Sequence, residues 1–158
     1  MAIDNIFRIG FLNIRGQTGF NHSKQVQIEK LLSKEKLDVL NLQETNCDEN
    51  TFENCDFLSA HYNFIINNSP SKYGTTTLIK TELTADNILY DTNGRIIVFD
   101  IGSTTIGNLY LPSGSDNYAK REEYISQTLP NLILKKEAGW ICFRASVAEA
   151  VSLSTVTL

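Results

Sequence analysis

Three polar residues each close an apolar run. Asn13 ends Ile9-Gly-Phe-Leu-Asn13, Glu44 ends Leu37-Asp-Val-Leu-Asn-Leu-Gln-Glu44, and Tyr110 ends Thr105-Ile-Gly-Asn-Leu-Tyr110. A carboxylate such as Glu44 suits Mg²⁺, a hard cation that takes oxygen ligands and keeps several waters. A metal held there would polarise a phosphoryl oxygen. Asn13 offers an amide to a phosphate oxygen or to a metal-bound water, and Tyr110 offers a hydroxyl donor. Taken singly, each has a plainer reading. A strand-end Glu is usually solvated, a strand-end Asn is usually a turn residue, and a strand Tyr is usually packing.

The elements that would position them can be read from pattern. Ile6–Leu12 is continuously apolar, as a strand buried on both faces would be. Ser23 is placed to cap a helix over Lys24–Lys34, and Leu37–Gln43 reads as the next strand. Strand, helix and strand imply a parallel pair with a right-handed crossover. Ligands of such sheets gather outside the carboxyl ends of the strands, where Asn13 and Glu44 fall.

Asn46–Asn54 is polar and acidic and reads as a loop or a frayed turn. Tyr62–Ile66, Thr75–Lys80, Asn87–Tyr90, Arg95–Ile101 and Thr104–Leu111 read as strands with hairpin signals between them, an antiparallel block. Asp116 is placed to cap a helix over Asn117–Leu129 with Tyr124, Ile125 and Leu129 inward. At Pro130, which removes an intrahelical donor, it kinks or restarts. Trp140–Cys142 is a last short strand.

Composition is that of an ordinary globular chain, with 158 residues, 42% hydrophobic and 20% charged. The net charge of −4 supplies no general basic field for nucleic acid. The basic pairs Lys120-Arg121 and Lys135-Lys136 are small and read as solvated. His22 and His61 read as an exposed helix-start residue and a structural strand-start residue. Cys47, Cys55 and Cys142 have no metal-like spacing, and no run approaches a membrane span. The expectation is an intracellular protein with reduced thiols, with nucleus and cytoplasm not separated.

The segments "FLNIRG", "LDVLNLQET", "GTTTLIK" and "IGNLYLPSG" together resemble the endonuclease/exonuclease/phosphatase superfamily. The likeness is nearest to the endonuclease domain of LINE-type (non-LTR) retrotransposons and covers about residues 6–142. The resemblance implies an α/β fold, the N-terminal half of a four-layered α/β sandwich with a mixed sheet and flanking helices. It implies Mg²⁺ as cofactor, Glu44 as metal ligand, Asn13 and Tyr110 as catalytic residues, and DNA as partner, the last without support from net charge.

After Gly139-Trp-Ile-Cys142 the resemblance stops. The family continues with a Gly-Gly-Asp-Phe-Asn type motif and later a Ser-Asp-His type motif. Here the chain reads Phe143-Arg-Ala-Ser, with no Asp beyond Asp116 and no His beyond His61. The tail Ala145–Leu158 is built almost wholly of Ala, Val, Ser, Thr and Leu. The expected division is therefore a partial domain over 1–142 and an unrelated tail over 143–158. The expected function is that of a truncated, catalytically incompetent derivative of a DNA endonuclease. Alternatives are a weakly active Mg²⁺-dependent phosphoesterase, or an interaction protein. The last follows from a second expectation. With half the sandwich absent, the inner face of the first sheet would stay uncovered and favour self-association, and the tail would pack poorly.

Overall fold

The computed structural model describes residues 6–14, 20–68, 74–111, 118–128, 130–131, 140–145 and 152–157. The first sheet holds β1 (Ile6–Asn13), β2 (Val39–Gln43), β3 (Tyr62–Asn67), β4 (Thr75–Lys80) and β9 (Ser152–Thr157), in the order β3-β4-β2-β1-β9. The second holds β5 (Asp86–Tyr90), β6 (Ile96–Ile101), β7 (Thr104–Leu109) and β8 (Trp140–Ala145), in that order. β1 and β2 are parallel, as the strand–helix–strand pattern requires, with Ile9 opposite Val39 and Asn13 opposite Gln43. β3–β4 and β5–β6–β7 are antiparallel, as the hairpin signals require. β7 and β8 are parallel.

The continuous apolar runs are explained by burial on both faces. In β2, Val39 joins the core between the sheets, while Leu40 and Leu42 face the helices. Phe7, Ile9, Phe11, Val39, Ile65 and Ile79 of the first sheet pack there with Ile97, Phe99, Ile101 and Ile106 of the second. Outside the first sheet lie α1 (His22–Glu35), α2 (Glu49–Glu53) and α3 (Asp56–His61), which contribute Ile28, Leu32, Phe52 and Leu58. Outside the second sheet, Ile96, Val98, Leu109 and Leu111 pack against Tyr124, which opens a π-helical turn (Tyr124–Thr128) continuing α4 (Tyr118–Glu123). The order of layers is helix, sheet, sheet, helix, and the α/β sandwich expectation holds.

Its corollary does not. The inner face of the first sheet is covered by β6 and β7, whose alternating apolar residues supply a second sheet. Among the described residues, the inner face on which self-association and an interaction protein were expected is packed against the second sheet. The tail expectation is corrected too. β9 pairs antiparallel with β1 from Ile6↔Thr157 to Phe11↔Ser152, because a β-branched segment satisfies the open edge of β1.

Smaller departures have local causes. Asn21, not Ser23, caps α1, its side chain accepting from Lys24 N at 3.0 Å. Asn46–Asn54 contains α2, made possible by a capping box in which Asp48 and Thr51 satisfy each other's backbone N–H. His61 ends α3 directly before β3, and its ring lies 4.9 Å from that of Phe57. Ile125 is 47% exposed rather than inward, since the π turn rotates it off the face that buries Tyr124. Asp116 and Leu129 lie outside the described residues.

Candidate active site

β1 and β2 run side by side and end together. The pairing extends one step past the strands, with Ile14 N donating to Gln43 O at 3.1 Å. There Asn13 Nδ2 donates to Glu44 Oε1 at 2.9 Å, and both side chains are half-buried. Glu44 has φ of 56° and Asn46 has φ of 41°, both in the left-handed region that non-glycine residues rarely enter. Such strain costs on the order of 1–3 kcal/mol and persists only where surroundings over-determine it.

The surroundings do so here. Thr45 N donates to Gly74 O at 3.0 Å, and Thr76 Oγ1 donates to Thr45 Oγ1 at 3.0 Å. Thr45 is fully buried between the two strained residues. Gly74 lets the two segments approach closely, since a Cβ there would meet Asn67 O and Thr45 Oγ1 at a tight 3.2 Å each. Cys47 Sγ lies 3.4 Å from Thr76 Oγ1, and burial pushes the Cys47 thiol up, which makes it an inert core group.

Tyr110 follows β7 in the other sheet. Its N–H donates to Arg95 O at 2.8 Å, and Arg95 Nη1 donates to Tyr110 O at 3.2 Å. The Arg95 guanidinium lies 4.8 Å from the Tyr110 ring centroid, within cation–π range. Asn13 and Glu44 are thus in direct contact, whereas Tyr110 is joined to them through buried intermediates. Gln43, next to Glu44, donates through Nε2 to Asn108 Oδ1 at 2.8 Å, and Asn108 stands two residues before Tyr110. Asn108 Nδ2 donates in turn to Leu42 O and Thr76 O, each at 3.1 Å. Beside it, Thr77 Oγ1 donates to Asn41 Oδ1 at 2.8 Å.

This polar seam between the sheets was not anticipated. Its signal was present, because Asn41 and Gln43 alternate with Leu40 and Leu42 and so share the inward face of Val39. His22 and His61 are exposed and lie in α1 and α3, away from the strand ends.

No family model and no curated protein matches the chain. Solved structures do. An AP endonuclease from Archaeoglobus fulgidus matches with a TM-score of 0.67 at 19% identity, over 84% of this chain and 52% of that one. The 3′ phosphatase NExo from Neisseria, bound to a product DNA hairpin, matches at 0.65 and 16%, over 82% and 52%. TDP2 from Caenorhabditis elegans matches at 0.60 and 16%, over 89% and 47%. The chain has their fold. It spans about half the length of these structures.

Among the described residues no group of three His, Cys, Asp or Glu side chains could hold a metal, and no helix is long and apolar enough to cross a membrane. The donor set at Glu44 nevertheless fits the least demanding Mg²⁺ arrangement, in which one carboxylate acts with substrate phosphate and water. Asn13 meets Glu44 Oε1 through its amide nitrogen, which orients the carboxylate at the strand ends.

Proposed function

We propose that this chain derives from a metal-dependent DNA endonuclease of the retrotransposon type, and that it carries one end of a phosphodiester-hydrolysing site without the groups that complete it. The observation that carries the reading is the Asn13–Glu44 hydrogen bond at the carboxyl ends of two parallel strands, with Glu44 held in a strained conformation. The half-length match to nuclease and phosphatase structures supports it. In the same reading, residues 1–142 are the nuclease-derived part and 143–158 are a segment of other origin.

Glu44 would hold Mg²⁺, with Asn13 fixing the carboxylate through Oε1. The cation would supply Lewis-acid stabilisation of phosphoryl charge when bound. Tyr110 would donate its hydroxyl to a non-bridging oxygen as charge develops there. DNA is the substrate class that the fold comparison favours, and with a net charge of −4 its binding depends on local groups.

The attacking water needs a base, and the family's Ser-Asp-His and Gly-Gly-Asp-Phe-Asn type motifs have no counterpart here. Loss of a base alone forfeits about 10²–10⁴ in rate. Groups that act as a unit cannot be replaced by the remainder. In this reading the 158 residues alone do not complete the catalytic apparatus. Supercoiled-plasmid nicking with Mg²⁺ or Mn²⁺, beside Glu44→Ala, tests this. Equal background in both proteins is expected. Nicking that disappears in Glu44→Ala would mean that the partial site still works.

A further inference from the structure

We propose that Arg95 is a positioning residue for the Tyr110 ring, and that Asp91 locks Arg95 in that role. The inference rests on reading Tyr110 as a site residue, but the contacts stand independently of any reaction. Arg95 engages Tyr110 in three ways, through the Tyr110 N–H, through the Tyr110 carbonyl and over the ring face at 4.8 Å. A planar, forked guanidinium is well shaped to do the last two together.

Arg95 is itself fixed from behind. Asp91 Oδ1 accepts from Arg95 N at 2.8 Å, Ile96 N at 2.9 Å and Asn67 Nδ2 at 2.9 Å. Asp91 Oδ2 accepts from Tyr124 Oη at 2.8 Å. Burial pushes the Tyr124 phenol well above the usual tyrosine range, and the Asp91 carboxylate adds to this, so it remains a donor. Asn67 Nδ2 also donates to Ile96 O at 2.9 Å.

The turn from Asp91 to Arg95 is thus tied to β3 of the first sheet and to the π turn outside the second. Four donors saturate one carboxylate at a turn that carries no part of the proposed reaction. What the turn presents is the Arg95 guanidinium. A ring clasped on one face has one preferred orientation and a raised barrier to flipping. A phenol that must meet a developing charge without reorganisation needs that restraint.

Tyrosine ring-flip rates from aromatic ¹³C relaxation test the proposal without DNA or metal. Resonances are assigned through Tyr110→Phe and Tyr124→Phe. Arg95→Met removes charge, plane and fork, and the Tyr110 flip rate should rise about 2–5-fold, the range of an exposed cation–π contact. Arg95→Lys should give an intermediate rate. Asp91→Asn, which keeps the size of the turn, should shift Tyr110 in the same direction by less and covers the case in which Arg95→Met does not fold. The Tyr124 flip rate should hold in the Arg95 variants. An unchanged Tyr110 rate in the variants that fold, or equal acceleration of Tyr110 and Tyr124, would overturn the assignment. If the restraint is found but phosphodiester chemistry is excluded elsewhere, the function fails and the positioning stands.

Discussion

The bond between Gln43 and Asn108 should be among the most costly in the molecule to remove. Asn108→Ala takes the acceptor from Gln43 Nε2 and removes donors to Leu42 O and Thr76 O, all at residues fully shielded from solvent. Each lost hydrogen bond contributes about 1 kcal/mol net, and a buried donor deprived of its acceptor costs about 1–3 kcal/mol more. The carbonyls suffer less, since each oxygen has a second lone pair. The sum is about 4–6 kcal/mol, against a total of about 5–15 kcal/mol for a domain of this kind.

Gln43→Ala, Asn108→Ala and the double variant should therefore be compared by urea unfolding, reading the midpoint at constant slope. The double variant should be less unstable than the sum of the single ones, with a coupling of about 1–3 kcal/mol. Additivity within about 0.5 kcal/mol would refute the bond. It would also remove the tie between the strand ends that carry Glu44 and Tyr110.

Tyr62 is buried and donates to Leu37 O at 3.1 Å, and burial, then Asp38 and Glu82, push its phenol up to about 12. A raised folded value stabilises the protein fully below the unfolded tyrosine value of about 10 and is lost as pH climbs towards 12. Tyr62→Phe should lower stability at neutral pH and flatten the alkaline decline, as followed by thermal unfolding across that window. Removal of residues 146–158 should expose the edge of β1 and promote concentration-dependent association in sedimentation velocity; a monomeric product would show that β9 does not protect that edge.

Much of the fold was legible because burial on both faces leaves a plain mark. β1, β2 and β4 are continuous apolar or Thr-rich runs, and the Asp91–Gly94 and Gly102–Ser103 turn signals fixed the antiparallel block. The cover over the first sheet is carried by Ile97, Phe99, Ile101 and Ile106, whose partners lie far away in sequence. Their alternation is the complement of Phe7, Ile9 and Phe11. α2 was missed because its stability lies in the Asp48–Thr51 cap rather than in an apolar stripe. Of the candidate site, the strand-end positions of Asn13 and Glu44 were readable, and their side-chain contact followed from the parallel register. The Gln43–Asn108 bond and the Arg95 clasp on Tyr110 join residues far apart in sequence, and only the packing of one sheet on the other brings them together.

The central claim is that Asn13 and Glu44 form the metal end of a phosphodiesterase site, and Mn²⁺ line broadening in amide NMR spectra tests it most directly. Titration of the wild-type protein should give weak, saturable broadening centred on Asn13, Glu44 and Thr45, and Mg²⁺ should compete it away. Glu44→Ala should abolish it while the rest of the spectrum is retained. Broadening centred elsewhere, or unchanged in Glu44→Ala, would contradict the account.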